Sequence, residues 1–195
     1  METVGILGYQ GCIEPHEVLL SRLGVSHIRV LSVADLERID RLIIPGGEST
    51  TMLKFIKAHG MMSPLREFSR VRPVWGICAG AIIVANEVSN PSQDSLKAID
   101  IHAHRNFYGP QTESFSVELE IDLLRGPLEV QFIRAPLLAP TSSRSEGKTL
   151  CVHASHQGQP VFFSQGNVWA CSFHAELGQD TALHEEFVKR SATPL

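Results

Sequence analysis

No basic run and no long apolar run appears in this 195-residue chain. A formal net charge of −4 argues against nucleic-acid binding as the main business. No apolar stretch approaches the roughly 18 residues that a membrane-spanning helix needs. The first residues, METVGILGYQG, carry no cationic leader, so a cytoplasmic, reducing location is the expectation. Aromatics are few, at 7%, yet apolar residues make up 43% and charged residues only 19%, the profile of an ordinary globular chain and not a disordered one. The four cysteines, Cys12, Cys78, Cys151 and Cys171, form no CxxC pair and are too sparse for a disulfide scaffold; Cys12 reads as a bland loop thiol, and Cys151 and Cys171 as packed strand residues. Zinc is not expected either. His102-Ala103-His104 and Cys151-Val152-His153 each bring two donors near each other, but no four-ligand set follows.

What is present is an alternation of strand and helix. TVGILG (3–8) reads as a buried strand and EPHEVLLSRLG (14–24) as a helix stopped by Gly24, with Val18, Leu19, Arg22 and Leu23 at helical spacing. HIRVLSV (27–33) is a second strand, and ADLERID a short helical connection. RLIIPGG (41–47) is a third strand. ESTTMLKFIKAHG follows as a helix with Ser49 or Thr50 near its start as a cap. SPLREFSRV continues helically, PVWGIC (73–78) is a fourth strand, and AGAIIVANEV (79–88) reads as the next helix. Such alternation implies right-handed βαβ units. Beyond residue 98 the pattern changes to strand-like segments with short turns, closed by an amphipathic helix in DTALHEEFVKRS. The expected fold is α/β: one domain over residues 1–195, a mainly parallel sheet flanked by helices, and an antiparallel, β-rich second half.

Three short stretches carry chemistry. Gly76-Ile77-Cys78-Ala79-Gly80 fits a nucleophile elbow with cysteine in the serine position. Such a turn pushes the thiol out of the sheet, and the backbone N–H of Ala79 is then placed to stabilise an oxyanion. The same five residues also suit a buried structural cysteine. His174 and Glu176 stand two apart at the end of a strand pattern, so extended backbone puts both on one face. Glu176 can then hold one imidazole nitrogen while the other meets Cys78. IIPGGEST (43–50) ends a strand in two glycines whose N–H groups suit an anion, although glycines suit a plain βα turn equally well.

These elements, in this order, resemble the class I (triad) glutamine amidotransferases, whose fold is flavodoxin-like. Finer motifs are similar to those of the glutaminase-subunit family of pyridoxal 5′-phosphate synthases: GILGYQG (5–11), LIIPGGESTTM (42–52), GICAG (76–80), RNFYGPQTESF (105–115), FIRAP (132–136) and CSFHAEL (171–177). The resemblance runs from residue 3 to about 190. It implies hydrolysis of L-glutamine to L-glutamate and ammonia through a cysteine thioester. It also implies delivery of the ammonia to a separate (β/α)8-barrel synthase subunit in a hetero-oligomer, with the GYQG region at the interface. Pyridoxal phosphate is then the partner's product, so neither cofactor nor metal is expected in this chain.

The same resemblance assigns roles. Cys78 matches the nucleophile, His174 the general base and then acid, and Glu176 the orienting carboxylate. Gly46 or Gly47, with Ala79, match the oxyanion hole. Gly47, Glu48 and Ser49 match the loop that holds substrate, and Arg105, Ile133 and Arg134 the further glutamine-binding positions. An arginine there suits the α-carboxylate. Departures are Ala175, where the family usually has proline, Tyr9 in place of a common leucine, and Pro110 at a position often polar. Two rivals stand beside this reading: the glutaminase subunit of another synthase, and a degenerate subunit that binds and regulates. PGGESTT and FIRAP argue against the first, and three intact triad residue types against the second.

Overall fold

The computed structural model describes residues 2–105, 114–141 and 148–191. Pro110 and most of the 105–115 motif lie outside the described residues, as do residues 142–147. The elements in chain order are β1 (Thr3–Leu7), α1 (Ile13–Arg22), β2 (Ser26–Val30), α2 (Val33–Leu36), β3 (Arg41–Ile44), α3 (Ser49–Ala58), α4 (Met62–Val71), β4 (Val74–Ile77) and α5 (Ala79–Val84). They continue with β5 (Ala85–Ser89), β6 (Ile99–His104), β7 (Phe115–Leu119), β8 (Leu128–Phe132), β9 (Leu137–Pro140), β10 (Cys151–His156), β11 (Gln159–Gln165), β12 (Val168–Cys171) and α6 (Ala182–Lys189).

A seven-stranded sheet in the order β10-β11-β12-β4-β3-β1-β2 forms the centre. The five strands from β12 to β2 run parallel, and β10 and β11 attach as antiparallel additions. The fold is therefore α/β with a mainly parallel sheet. Its inner strands β1, β3, β4 and β12 are apolar at nearly every position because both faces are covered. Side chains alternate between two cores: Leu42, Ile44 and Val74 pack with α3, α4 and α5, whereas Ile43, Trp75 and Ile77 pack with α1 and α6. The β7–β8 hairpin closes the second core.

Four readings of the sequence need correction. The helix expected over 79–88 ends at Val84, and Ala85–Ser89 is a strand paired with β6. Ile83 and Val84 carbonyls accept from Leu96 and Ala98 N–H groups, so the returning chain takes over the helix's own bonds. The cap of α3 is Glu48, not Ser49 or Thr50; its carboxylate accepts from the N–H groups of Thr50 and Thr51. The helix expected over 14–24 is Ile13–Arg22, and its buried face is Ile13, His16, Leu19 and Leu20. Cys151, read as packed, is exposed on β10, the edge strand of the sheet.

Candidate active site

β4 and β12 are parallel neighbours with Ile77 opposite Cys171, and Cys78 N–H donates to the Cys171 carbonyl at 2.8 Å. Cys78 and the segment leading to His174 therefore leave the same edge of the sheet side by side. At Cys78 the backbone turns sharply, with φ 50° and ψ −101°, before α5 begins. A positive φ at a non-glycine residue is strained and has to be held by its surroundings. The flanking glycines explain how. A Cβ on Gly76 would lie 2.5 Å from the Gly80 carbonyl oxygen, and one on Gly80 would sit 2.8 Å from the Ile44 carbonyl carbon. Neither position has room for a side chain, so the tight turn needs both.

His174 is buried, and its Nδ1 lies 2.6 Å from Glu176 Oε1. Since a carboxylate only accepts, Nδ1 carries the hydrogen and Nε2 is left for the thiols. The main chain of His174 is pinned by a reciprocal pair of bonds to Gln131, at 2.7 and 3.0 Å. Burial lowers the imidazole's proton affinity, but contacts with Cys12, Cys78 and Glu176 outweigh it and push its pKa well above the ordinary range. Cys78 Sγ also approaches the Ile133 carbonyl at 3.9 Å.

A cavity of about 330 Å³ opens in front of these groups. Cys78, Ala79 and His174 form its floor, and Gly47, Glu48 and Ser49 one wall. Arg105, Ile133 and Arg134 line it as well. Arg134 holds its position with φ 44°. Arg105 donates to Thr50 Oγ1 at 2.8 Å and lies 3.5 Å from Glu48 Oε1. Burial opposes ionisation of Glu48, but hydrogen bonds from Thr51 and Thr50 hold its carboxyl below the usual range. Ser49 Oγ donates to Gln93 Oε1 at 3.1 Å, so its hydroxyl is already engaged. Gly46 packs its Cα against the His174 ring. Glu176 stands behind His174, buried.

Two residues of this site were not singled out from the sequence. Gln10 lines the cavity and its Oε1 accepts the Glu48 N–H at 2.8 Å, holding the loop start. Cys12, read as a bland loop thiol, caps α1, lines the cavity and touches His174. Its N–H donates to the Gly46 carbonyl at 2.9 Å, which fixes the Gly46–Gly47 peptide plane. Donor atoms of Cys12, His174 and Glu176 lie within 4.8 Å of one another. The only signal was their place beside GYQG, since nothing in spacing brings residues 10–12 to residue 174.

This geometry can activate a thiol against an electrophilic carbon held in a small polar cavity. The chain matches the profile of the SNO glutamine amidotransferase family over residues 6–193. It is 39% identical over 196 residues to pyridoxal 5′-phosphate synthase subunit PdxT of Solibacter usitatus, covering 97% of this chain and all of that protein. It is 41% identical over 186 residues to the subunit of the same name from Koribacter versatilis, covering 95% and 94%. Among solved structures, a glutamine amidotransferase superposes with a TM-score of 0.84 at 37% identity, covering 95% of this chain and 97% of that one. With almost every described element inside the matched span, the chain belongs to the SNO glutamine amidotransferase family.

Proposed function

We propose that the chain, as one domain over residues 1–195, is the glutaminase subunit of a pyridoxal 5′-phosphate synthase. It hydrolyses the side-chain amide of L-glutamine and passes ammonia to a synthase partner. The observation that carries this is the alignment of Cys78, strained outward at φ 50°, with a buried His174 whose Nδ1 is held by Glu176 at 2.6 Å. The names of the PdxT relatives support the choice of synthase.

In this reading the Cys78 thiolate attacks the amide carbon, and charge collects on the amide oxygen. The N–H groups of Ala79 and of Gly46 or Gly47 take that charge. His174 gives its proton to the nitrogen, the C–N bond breaks, and ammonia leaves a γ-glutamyl thioester on Cys78. A water molecule then gives a proton to His174 and attacks the thioester, which releases glutamate and the thiol. Arg105 pairs with the α-carboxylate of glutamine, and the Gly47-Glu48-Ser49 loop with Ile133 and Arg134 encloses the rest of the substrate.

The partner is a (β/α)8-barrel synthase in a hetero-oligomer. An apolar patch on the GYQG side supports docking there: Phe55 and Leu31 are exposed, and Tyr9 stacks on Phe55 at 5.9 Å while its hydroxyl donates to the Leu31 carbonyl. The test is ammonia release from glutamine, with and without the synthase subunit. Activity is expected to be low alone, to rise in the complex and to vanish in Cys78→Ala; full activity of Cys78→Ala in the complex would sink the reading.

A further inference from the structure

Behind Glu176, on the side away from the cavity, two histidines are sealed in the second core. His16 on α1 and His184 on α6 are both fully buried, at 0% exposure. His16 Nδ1 and His184 Nε2 are 2.8 Å apart. On the other side of its ring, His16 Nε2 stands 3.9 Å from Glu176 Oε1. Three buried atoms here have no hydrogen-bond partner among the described residues: His16 Nε2, Glu176 Oε2 and His184 Nδ1. Orphans of this kind are rare in folded proteins and call for an explanation. The first of them, His16 Nε2, faces the Glu176 carboxylate, whose Oε1 at 3.9 Å is beyond hydrogen-bond distance.

Proton placement follows from chemistry. An ionised carboxylate has no hydrogen to give, so the nitrogen that faces Glu176 has to carry one. His16 is therefore the Nε2–H tautomer. Its Nδ1 is then a lone pair and accepts from His184 Nε2–H. His184 Nδ1 becomes the lone pair turned into the core, where an unfilled acceptor costs less than an unfilled donor. Both rings are neutral in this arrangement. Burial opposes charge on each, and for His16 the neighbouring His184 and His174 add to the effect. Trp75 fixes both rings by edge contacts, at 6.3 Å to His16 and 5.1 Å to His184. Trp75 belongs to β4, the strand that delivers Cys78.

We propose that His16 and His184 are positioning residues for the glutaminase reaction. His184 donates to His16, and His16 turns its Nε2–H toward the Glu176 carboxylate across 3.9 Å, a fixed dipole that steadies the carboxylate against His174 Nδ1. Among the described residues His174 Nδ1 is the one hydrogen-bond donor to Glu176, so without that dipole nothing else polar restrains the buried carboxylate from behind. The chain acts in the step that matters most to the carboxylate, when His174 is protonated and its positive charge has to be met. His16 and His184 touch neither substrate nor Cys78 in this scheme. The proposal rests on the reading of Glu176 as the orienting carboxylate.

The test uses the full chain assembled with the synthase subunit and compares His16→Gln with His16→Leu. A glutamine amide nitrogen can stand where Nε2–H stood; leucine cannot donate. His16→Leu is expected to lose several-fold in kcat, with KM nearly unchanged. His16→Gln is expected to recover most of that loss. Equal losses in the two variants, no loss in either, or a change confined to KM would each overturn the proposal. A second measurement needs no variant: ¹⁵N spectra of histidine-labelled wild-type chain at neutral pH. His16 as a neutral Nε2–H tautomer supports the chain, and a Nδ1–H or doubly protonated ring overturns it. Should Cys78→Ala keep its activity, the glutaminase reading itself falls; should only the His16 comparison fail, that reading stands and the histidine chain falls alone.

Discussion

Gly46 and His174 share one van der Waals boundary. A Cβ built on Gly46 would lie 3.0 Å from Nδ1 and 3.2 Å from Nε2 of the imidazole, and nearer still to Cε1. The loop after β3 and the base after β12 thus fit each other with no space for one methyl group.

Gly46→Ala should therefore tilt the imidazole without unfolding the sheet. A displacement near 1 Å costs on the order of 100-fold in rate. Glutaminase kcat of the assembled complex, with circular dichroism as a control for folding, checks this. Near-normal kcat would mean that the ring has room to move.

Arg105→Ala should act on binding instead. Loss of a charge-assisted partner for the α-carboxylate is worth roughly 1.5–3 kcal/mol, or about a 10- to 100-fold rise in KM for glutamine. The rate at saturation should change little, because the guanidinium lies on the cavity wall and not at the reacting carbon. A fall in kcat at constant KM would remove Arg105 from substrate binding.

Stability should fall in mild acid. Burial holds His184 down to about 4, and burial with His184 and His174 nearby holds His16 well below its ordinary value. In the unfolded chain both protonate near 6.5. The unfolded state thus binds more protons between about 6.5 and the folded values, so stability is full above that window and is lost as pH falls through it. For His184 alone the loss is on the order of 3 kcal/mol, at about 1.4 kcal/mol per unit. His174 runs the other way: its raised value gives stability that is present in acid and lost only when pH climbs through it. Thermal unfolding midpoints at neutral pH and at about 4.5 check the sign. His184→Leu should flatten the acid limb; an unchanged limb would show that these rings do not set it.

Two thiols around one imidazole should make the site vulnerable to soft metal ions. Zn²⁺ is expected to inhibit ammonia release and a chelator to restore it, because Cys12, His174 and Glu176 place donors within 4.8 Å of one another. In Cys12→Ala the half-inhibiting Zn²⁺ concentration should rise roughly tenfold or more, the scale on which altered metal surroundings act. Equal sensitivity in both proteins would limit the inhibition to Cys78 and His174.

The parallel half of the fold was legible because its strands are short apolar runs that end in glycine or proline. The elbow at Cys78 and the His174–Glu176 pair were legible because each is local: one turn, and one alternation of extended backbone. Ala85–Ser89 was misread because nothing within AGAIIVANEV separates a long helix from a helix that yields to a strand. The pairing with β6 decides it. Gln10, Cys12 and His16 stayed hidden for a similar reason. Their nearness to residues 48, 174 and 176 is produced by the order β12-β4-β3-β1, which no stretch of sequence contains. Glu48 as a cap was obscured by the better capping residues beside it.

The register of β4 against β12 works as a gauge. Ile77 lies opposite Cys171, so the backbones that lead to Cys78 and His174 leave the sheet one strand spacing apart, about 4.8 Å. Between the two strands, Gln131 pins the His174 main chain and Gly80 gives the Cys78 turn its room, so these two positions share in the gauge. Lengthening a surface turn between them leaves the gauge untouched, whereas deleting one residue from β4 or β12 turns Cys78 or His174 to the opposite face. Surface turns away from the cavity are thus open to remodelling, whereas the eight residues of β4 and β12 are bound to single-residue accuracy.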